Sequence, residues 1–256
     1  MEDPQFFAQI PQTEATVAGF TTKIPCFYRD MRIVAASFWA PLRALQTALP
    51  SDQLRPLRAG PRHGIATITA YETHDSDIGA FSSMSIDIPV SIRGHAMPGG
   101  IMRYRRRGGM VHSLSMPKST EIAVVTARDI FGFPARLADL QWDDHDTWLA
   151  CRVNAGDRHL LTLEGIRPSG RSAHRRLHMQ PITARRDRLV RCDLTIEILE
   201  GAVSMEPGTA KVAFGDHPLV DDLRTLELGR LAAYQYAPSA RAILGPPLES
   251  WPATTI

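Results

Sequence analysis

Met84-Ser85-Ile86-Asp87-Ile88-Pro89-Val90-Ser91-Ile92 alternates apolar and polar residues almost without a break. Successive strand side chains point to opposite faces, so this run predicts a strand with one face in the core. Working outward, Gly64–Thr73 (GIATITAYET), Thr147–Val153 (TWLACRV), His159–Leu163 (HLLTL), Arg191–Leu199 (RCDLTIEIL) and Ala210–Phe214 (AKVAF) extend the pattern. Met31–Ala36 (MRIVAA) and Glu121–Thr126 (EIAVVT) are apolar and partly β-branched and are read as two more strands. One helix is predicted over Ala40–Ala48, where Pro41 suits a first turn, Leu42, Leu45 and Leu49 recur at helical spacing, and Pro50 ends the run. Glycine and proline punctuate the intervals, and no repeat or linker divides the chain. The expected architecture is α+β and β-rich, with an N-terminal arm over residues 1–27 and a single domain over 28–256.

The chain has 256 residues, 44% hydrophobic and 22% charged, with a formal charge of +2. Those values exclude the disordered, collagen-like and disulfide-scaffold classes. Near-neutrality speaks against a dedicated nucleic-acid binder. Two segments are nonetheless rich in arginine. Gly94–Gly109 carries Arg103, Arg105, Arg106 and Arg107 around Tyr104 and is read as a solvated basic hairpin, with an anion-binding or oligomer-contact hairpin as the alternative. Arg171–Arg188 lacks aromatic stacking partners and is read as a polar surface or subunit contact. Cys26, Cys151 and Cys192 show no paired spacing, which predicts neither a disulfide framework nor a zinc site. Asp143-Asp144-His145-Asp146 is read as a solvated turn, because consecutive residues cannot all converge on one ion, and no metal is expected. Phosphate-loop, dinucleotide-fold, zincin and nucleophile-elbow motifs are absent, so no cofactor is implied. No apolar run approaches the ~20 residues of a membrane span. An acidic start without an apolar stretch (Met1-Glu2-Asp3-Pro4) gives a cytoplasmic expectation. Of 29 basic residues only Lys23, Lys118 and Lys211 are lysines, which leaves few amines for chemistry.

Ala127-Arg128-Asp129-Ile130-Phe131-Gly132-Phe133-Pro134-Ala135-Arg136-Leu137-Ala138 resembles the G-R-E-x-x-G-[FY]-P-K-K-x-A segment of the acetoacetate decarboxylase superfamily. Arg43–Leu54 (RALQTALPSDQL) resembles that family's A-L-x-x-x-x-P-x-x-L helix and turn. His74–Val90 (HDSDIGAFSSMSIDIPV) is similar to its H-D…G-x-Y-x-E…I-P-V hairpin, and Gly208–Leu226 to its C-terminal G-x-x-x-L-x-x…H-P-x-x-x-L close. The four matches fall in the family's order and span residues 28 to 245. They imply a cone-shaped antiparallel β-barrel with a few peripheral helices, assembled as a homo-oligomer.

Function transfers less directly. The resemblance implies a Schiff-base lysine at position 135 and a second lysine at 136 that lowers its pKa, but this chain has Ala135 and Arg136. Alanine carries no nucleophile, and arginine stays protonated. The family's hairpin carboxylate falls on Ser83. Lys118, placed in a loop before the Glu121 run, is not expected to substitute. The sequence therefore predicts a site without a covalent amine, in which Arg136, Ser83 and either Arg29 or Arg32 stabilise an enolate-like state. Ala135, Phe133, Phe81, Tyr104 and His112 complete the candidate pocket. Its expected ligand is a small keto acid or polyketide-type carbonyl compound, undergoing lyase, dehydratase, cyclase or isomerase chemistry. The competing reading is a non-catalytic protein that binds a small anion or serves in assembly. Nucleic acid and membrane are not expected partners.

Overall fold

A computed structural model describes residues 5–93, 100–168 and 174–253. In chain order the strands are β1 Thr13–Val17, β2 Phe20–Ile24, β3 Cys26–Pro41, β4 Leu54–Pro56, β5 His63–Ser76, β6 Phe81–Ile92, β7 Met110–Lys118 and β8 Ala135–Leu137. They continue as β9 Asp139–Asp144, β10 Trp148–Ala155, β11 Arg158–Ile166, β12 Arg175–Arg185, β13 Arg188–Ser204, β14 Ala210–Phe214 and β15 Leu231–Pro252. The helices are short: α1 Leu42–Thr47, α2 Gly100–Arg107, α3 Glu121–Val125 and α4 Asp221–Arg224. No helix among the described residues is long and apolar enough to cross a membrane.

Seven strands close into a barrel in the order β6-β5-β3-β15-β13-β12-β7, with β7 pairing back onto β6. Most neighbours are antiparallel, but β7 runs parallel to β12 and to the short β8. A second sheet, β14-β11-β10-β9, packs on the outside. Leu149, Cys151, Val153 and Leu163 of that sheet join Val34, Ile68, Ile86 and Ile88 of the barrel in the largest apolar cluster. The alternation in β6 thus serves two buried faces. Met84, Ile86 and Ile88 face the outer sheet, while Phe81, Ser83, Ser85 and Asp87 line the barrel interior.

Gly165 of β11 joins the two layers. The fully buried ring of Tyr234 on β15 lies where a Cβ at 165 would come within 2.4 Å of it. The N-terminal arm is more structured than expected. β1 and β2 form a hairpin within it, and Phe6 is buried over the guanidinium of Arg241 at 4.7 Å. Arg241 in turn holds the buried Glu197 at 2.6 Å, together with Arg176.

Three local readings are corrected. Glu121–Val125 is a helix and runs into a wide π-turn over Thr126–Ile130, rather than a strand. A five-residue apolar run fits either form, and here Ala123, Val124 and Ala127 are buried one helical turn apart. The expected basic hairpin over 94–109 holds helix α2 at its C-terminal part; residues 94–99 lie outside the described ones. From Arg175 the second arginine-rich segment is barrel strand β12, with Leu177 and Met179 turned inward; residues 169–173 lie outside the described ones. Arg176 and His178 alternate with Leu177 and Met179, an alternation that the arginine content disguises.

Gly165→Ala is expected to lower stability in chemical denaturation by about 3 kcal/mol, since neither the Tyr234 ring nor the sheet can give way cheaply. Gly60→Ala, whose Cβ would make an ordinary 3.9 Å contact with Trp39, is the control and is expected to change stability far less.

Candidate active site

The barrel interior opens into a cavity of about 120 Å³ walled by Phe81, Phe131, Phe133, Met116 and Ile78. The F-G-F-P segment supplies two of these aromatics. Gly132 sits at φ +77°, and a Cβ there would meet Thr183 Oγ1 at 2.9 Å. Glycine therefore lets the chain turn sharply between Phe131 and Phe133. The hydroxyl of Thr183 donates to Phe131 O at 3.1 Å and fixes that turn to the barrel wall.

Lys118 is the only cation among the described residues that line this cavity. It ends β7, opposite Ser83 of β6, and is 6% exposed. Its Nζ stands 4.8 Å over the Phe81 ring, and among the described residues it has no carboxylate or hydrogen-bond partner. Burial in these apolar walls pushes the amine down to about 8, with the nearby Cys26 thiol opposing the shift slightly. Thr73 and Thr126 line the same cavity, and their buried hydroxyls lack partners among the described residues. An unpaired amine and two unpaired hydroxyls are polar groups left for a ligand to satisfy.

Deeper in the barrel, Asp87 accepts hydrogen bonds from Ser85 and, at 2.6 Å, from Ser113. Burial pushes its carboxyl up to about 6 despite those two donors. Four residues of β6 separate it from Ser83, roughly 13 Å of strand, so Asp87 and Lys118 occupy different levels of the lumen.

The sequence-derived residues divide sharply. Ser83, Phe81 and Phe133 line the cavity with Lys118. The three arginines do not. Arg29 pairs with Asp77 at 2.5 Å; Arg32 pairs with Glu72 at 2.6 Å and Asp144 at 2.5 Å and stacks on Trp142. Arg136 is exposed on β8. Ala135 is buried in the aromatic cluster beside the cavity instead of facing into it. His112 is buried, holds Ile182 O at 2.8 Å through Nδ1, and is pushed down by desolvation. Tyr104 sits on α2 against a second chamber. The expectation that guanidinium groups would line the pocket is therefore corrected, because all three face outward to carboxylates or solvent.

The loop position expected for Lys118 is corrected as well. β7 and β8 lie side by side and parallel, with Met116 opposite Ala135 and Lys118 opposite Leu137. The Lys118 backbone therefore lies roughly 8 Å from that of Ala135, one strand over and two residues on. The lysine scarcity concealed this, since one of the three is the pocket amine. Asp87 falls on the polar face of the Met84–Ile92 alternation, which the sequence does not mark as buried.

Acetoacetate decarboxylase is the family whose model matches, over residues 9–244. None of the curated proteins matches the chain in sequence. Among solved structures, the acetoacetate decarboxylase of Legionella pneumophila superposes with a TM-score of 0.68 at 14% identity, covering 97% of this chain and 95% of its own. The enduracididine biosynthesis enzyme MppR, solved with the condensation product of pyruvate and imidazole 4-carboxaldehyde, gives 0.60 at 11% identity, over 89% and 88% of the two chains. An acetoacetate decarboxylase-like enzyme of Sphingomonas wittichii gives 0.55 at 12% identity, over 88% and 94%. These likenesses carry the fold, and by the family match over residues 9–244 the chain belongs to the acetoacetate decarboxylase family.

Proposed function

We propose that this protein is a lysine-dependent carbonyl enzyme of lyase type whose nucleophile is Lys118. The observation that carries this reading is the lone, unpaired amine of Lys118 buried in the apolar end of the barrel. At a pKa of about 8 an appreciable fraction is neutral near physiological pH, which a nucleophilic amine requires. The neutral amine adds to a ketone or aldehyde carbon, and the oxygen takes up a proton to give a carbinolamine. Water then leaves, pushed out by the nitrogen lone pair, and a protonated imine forms. That iminium accepts the electron pair of a bond breaking at the neighbouring carbon, either C–H or C–carboxylate. Protonation of the resulting enamine and hydrolysis of the imine return product and free Lys118.

The surroundings suit this sequence. Phe81, Phe131 and Phe133 exclude water from the reacting centre, which strengthens electrostatic interactions there. Ser83, Thr73 and Thr126 offer hydroxyls to the carbonyl or carbinolamine oxygen. The MppR structure holds a product of pyruvate condensation on the same fold, which fits a carbonyl substrate class here.

Borohydride reduction in the presence of a panel of small ketones, aldehydes and keto acids is expected to leave one stable adduct, mapped by peptide mass spectrometry to Lys118. Its formation should rise through pH 8 and level off above it, following the free amine. Lys118→Ala abolishes the adduct, whereas Arg136→Ala leaves it intact. Absence of any adduct, or modification at Lys23 or Lys211, would defeat the proposal.

Stability supplies a second readout. Between pH 8 and 10.5 the unfolded chain binds the Lys118 proton more tightly than the folded one, so native stability rises with pH across that window. Below pH 8 the buried charge costs on the order of 3 kcal/mol. Lys118→Met is therefore expected to stabilise the fold at pH 7 and to flatten the rise above pH 8, measured by denaturant titration at several pH values.

A further inference from the structure

The Lys118 cavity does not end at Asp87. A second chamber of about 170 Å³ adjoins it, and Tyr71, Asp87, Met179 and Ile196 line both. Successive inward residues pass from one chamber to the other on several strands. On β5 the order is Thr73, Tyr71, Thr69; on β12 it is Pro181, Met179, Leu177, with Arg175 next on the same face; on β13 it is Leu194, Ile196, Ile198. In each triplet the first residue faces the Lys118 chamber, the last faces the second chamber, and the middle one belongs to both. The two chambers are stacked as consecutive levels of the barrel interior and meet at a waist formed by Asp87, Tyr71, Met179 and Ile196.

The far level has the opposite character from the Lys118 end. Arg105 of α2 and Arg175 of β12 both line it. Arg105 donates to Ala232 O at 3.3 Å, and neither guanidinium has an ion-pair partner among the described residues. Partial burial, and the charge of Arg105 beside it, hold Arg175 below the usual arginine range. Among the described residues, the one carboxylate lining this chamber is Asp87 at the waist, already bonded to Ser85 and Ser113. Two like charges gathered at a cavity wall without a counter-ion form a ready receptor for an anion, which two guanidinium groups can bind through several charge-assisted hydrogen bonds.

We propose that the substrate is an elongated carbonyl compound bearing a remote anionic group, with the carbonyl at Lys118 and a carboxylate or phosphate held by Arg105 and Arg175 at the other end of the barrel. This inference rests on the Lys118 reading and specifies its substrate class. Four residues of β6 run from Ser83 to the waist, and four of β12 run from the waist to Arg175. Those paths total roughly 26 Å, or about 20 Å along the axis at the ~40° tilt usual in barrels, before the two long side chains shorten the gap. A three-carbon keto acid cannot bridge that span, whereas a medium-chain one can. The apolar residues between the ends suit a hydrocarbon chain.

The test uses methyl ketones of matched length that end in a carboxylate, a phosphate or a methyl group, with borohydride trapping and calorimetric binding as separate readouts. The wild-type protein is expected to be trapped at lower concentrations of the anionic ketones than of the neutral one. The Arg105→Ala/Arg175→Ala double variant should require at least about tenfold more of the anionic ketones and the same amount of the neutral one, which also shows that it is folded. Whichever anionic ketone loses more identifies the head group. Equal trapping of all three, or no change in the double variant, overturns the inference. If no ketone is trapped, the Schiff-base reading has failed, and calorimetry judges this proposal separately. Anionic-ketone binding weakened by the double variant supports it, and unchanged binding refutes it.

Discussion

Closure of the sheet between β6 and β7 is the constraint on which the rest of the molecule depends. The pairing of Ser83 with Lys118 lies on that seam, so the bonds that shut the barrel also bring the Lys118 amine into its interior. Closure also gives β6 two buried faces. One carries Met84, Ile86 and Ile88 against the outer sheet, and the other carries Phe81, Ser83, Ser85 and Asp87 into the lumen. An open sheet would expose the second set to water, and neither Lys118 nor Asp87 would be far from its ordinary titration range.

That arrangement runs against stability. Lys118 is pushed down and Asp87 up, each because burial disfavours its charged form, and the two stand too far apart to neutralise one another. Buried ionisable groups without an opposite charge are costly, and they cluster where chemistry or binding uses them. The contrast with Glu197 is instructive. That carboxylate is equally buried, yet Arg241 and Arg176 hold it and Phe6 closes over the group, so its role is structural. Partners separate the structural charge from the functional one.

Much of the fold was legible because strands advertise themselves through period-two alternation. Ala210–Phe214 falls on β14 without adjustment, and the Gly64 and Met84 runs fall within β5 and β6. The failures share a cause. Glu121–Thr126 and Arg171–Arg188 were read from composition, where β-branching and arginine content outweighed the pattern of burial. The site was less legible for a geometric reason. The motif points to position 135, whereas the buried amine of Lys118 stands on the strand beside it, a neighbour in space seventeen residues earlier. A linear motif contains no information about parallel pairing of β7 with β8. Ser83 and Phe81 lie on the matched strand β6 and Phe133 in the matched turn before β8, so these three line the cavity, whereas Arg29 and Arg32 sit on a strand whose bulge at Asp30 leaves Tyr28 and Met31 facing the cavity.

The central claim is that Lys118 is an unpaired amine held in an apolar interior. With only three lysines in the chain, their side-chain nuclear magnetic resonances can be assigned by single substitutions and followed with pH. The account predicts that the Lys118 signal titrates near 8, well below that of an exposed lysine. Titration of Lys118 at an ordinary value above 10 would contradict it, because such an amine would be solvated or ion-paired and unfit for the role assigned to it.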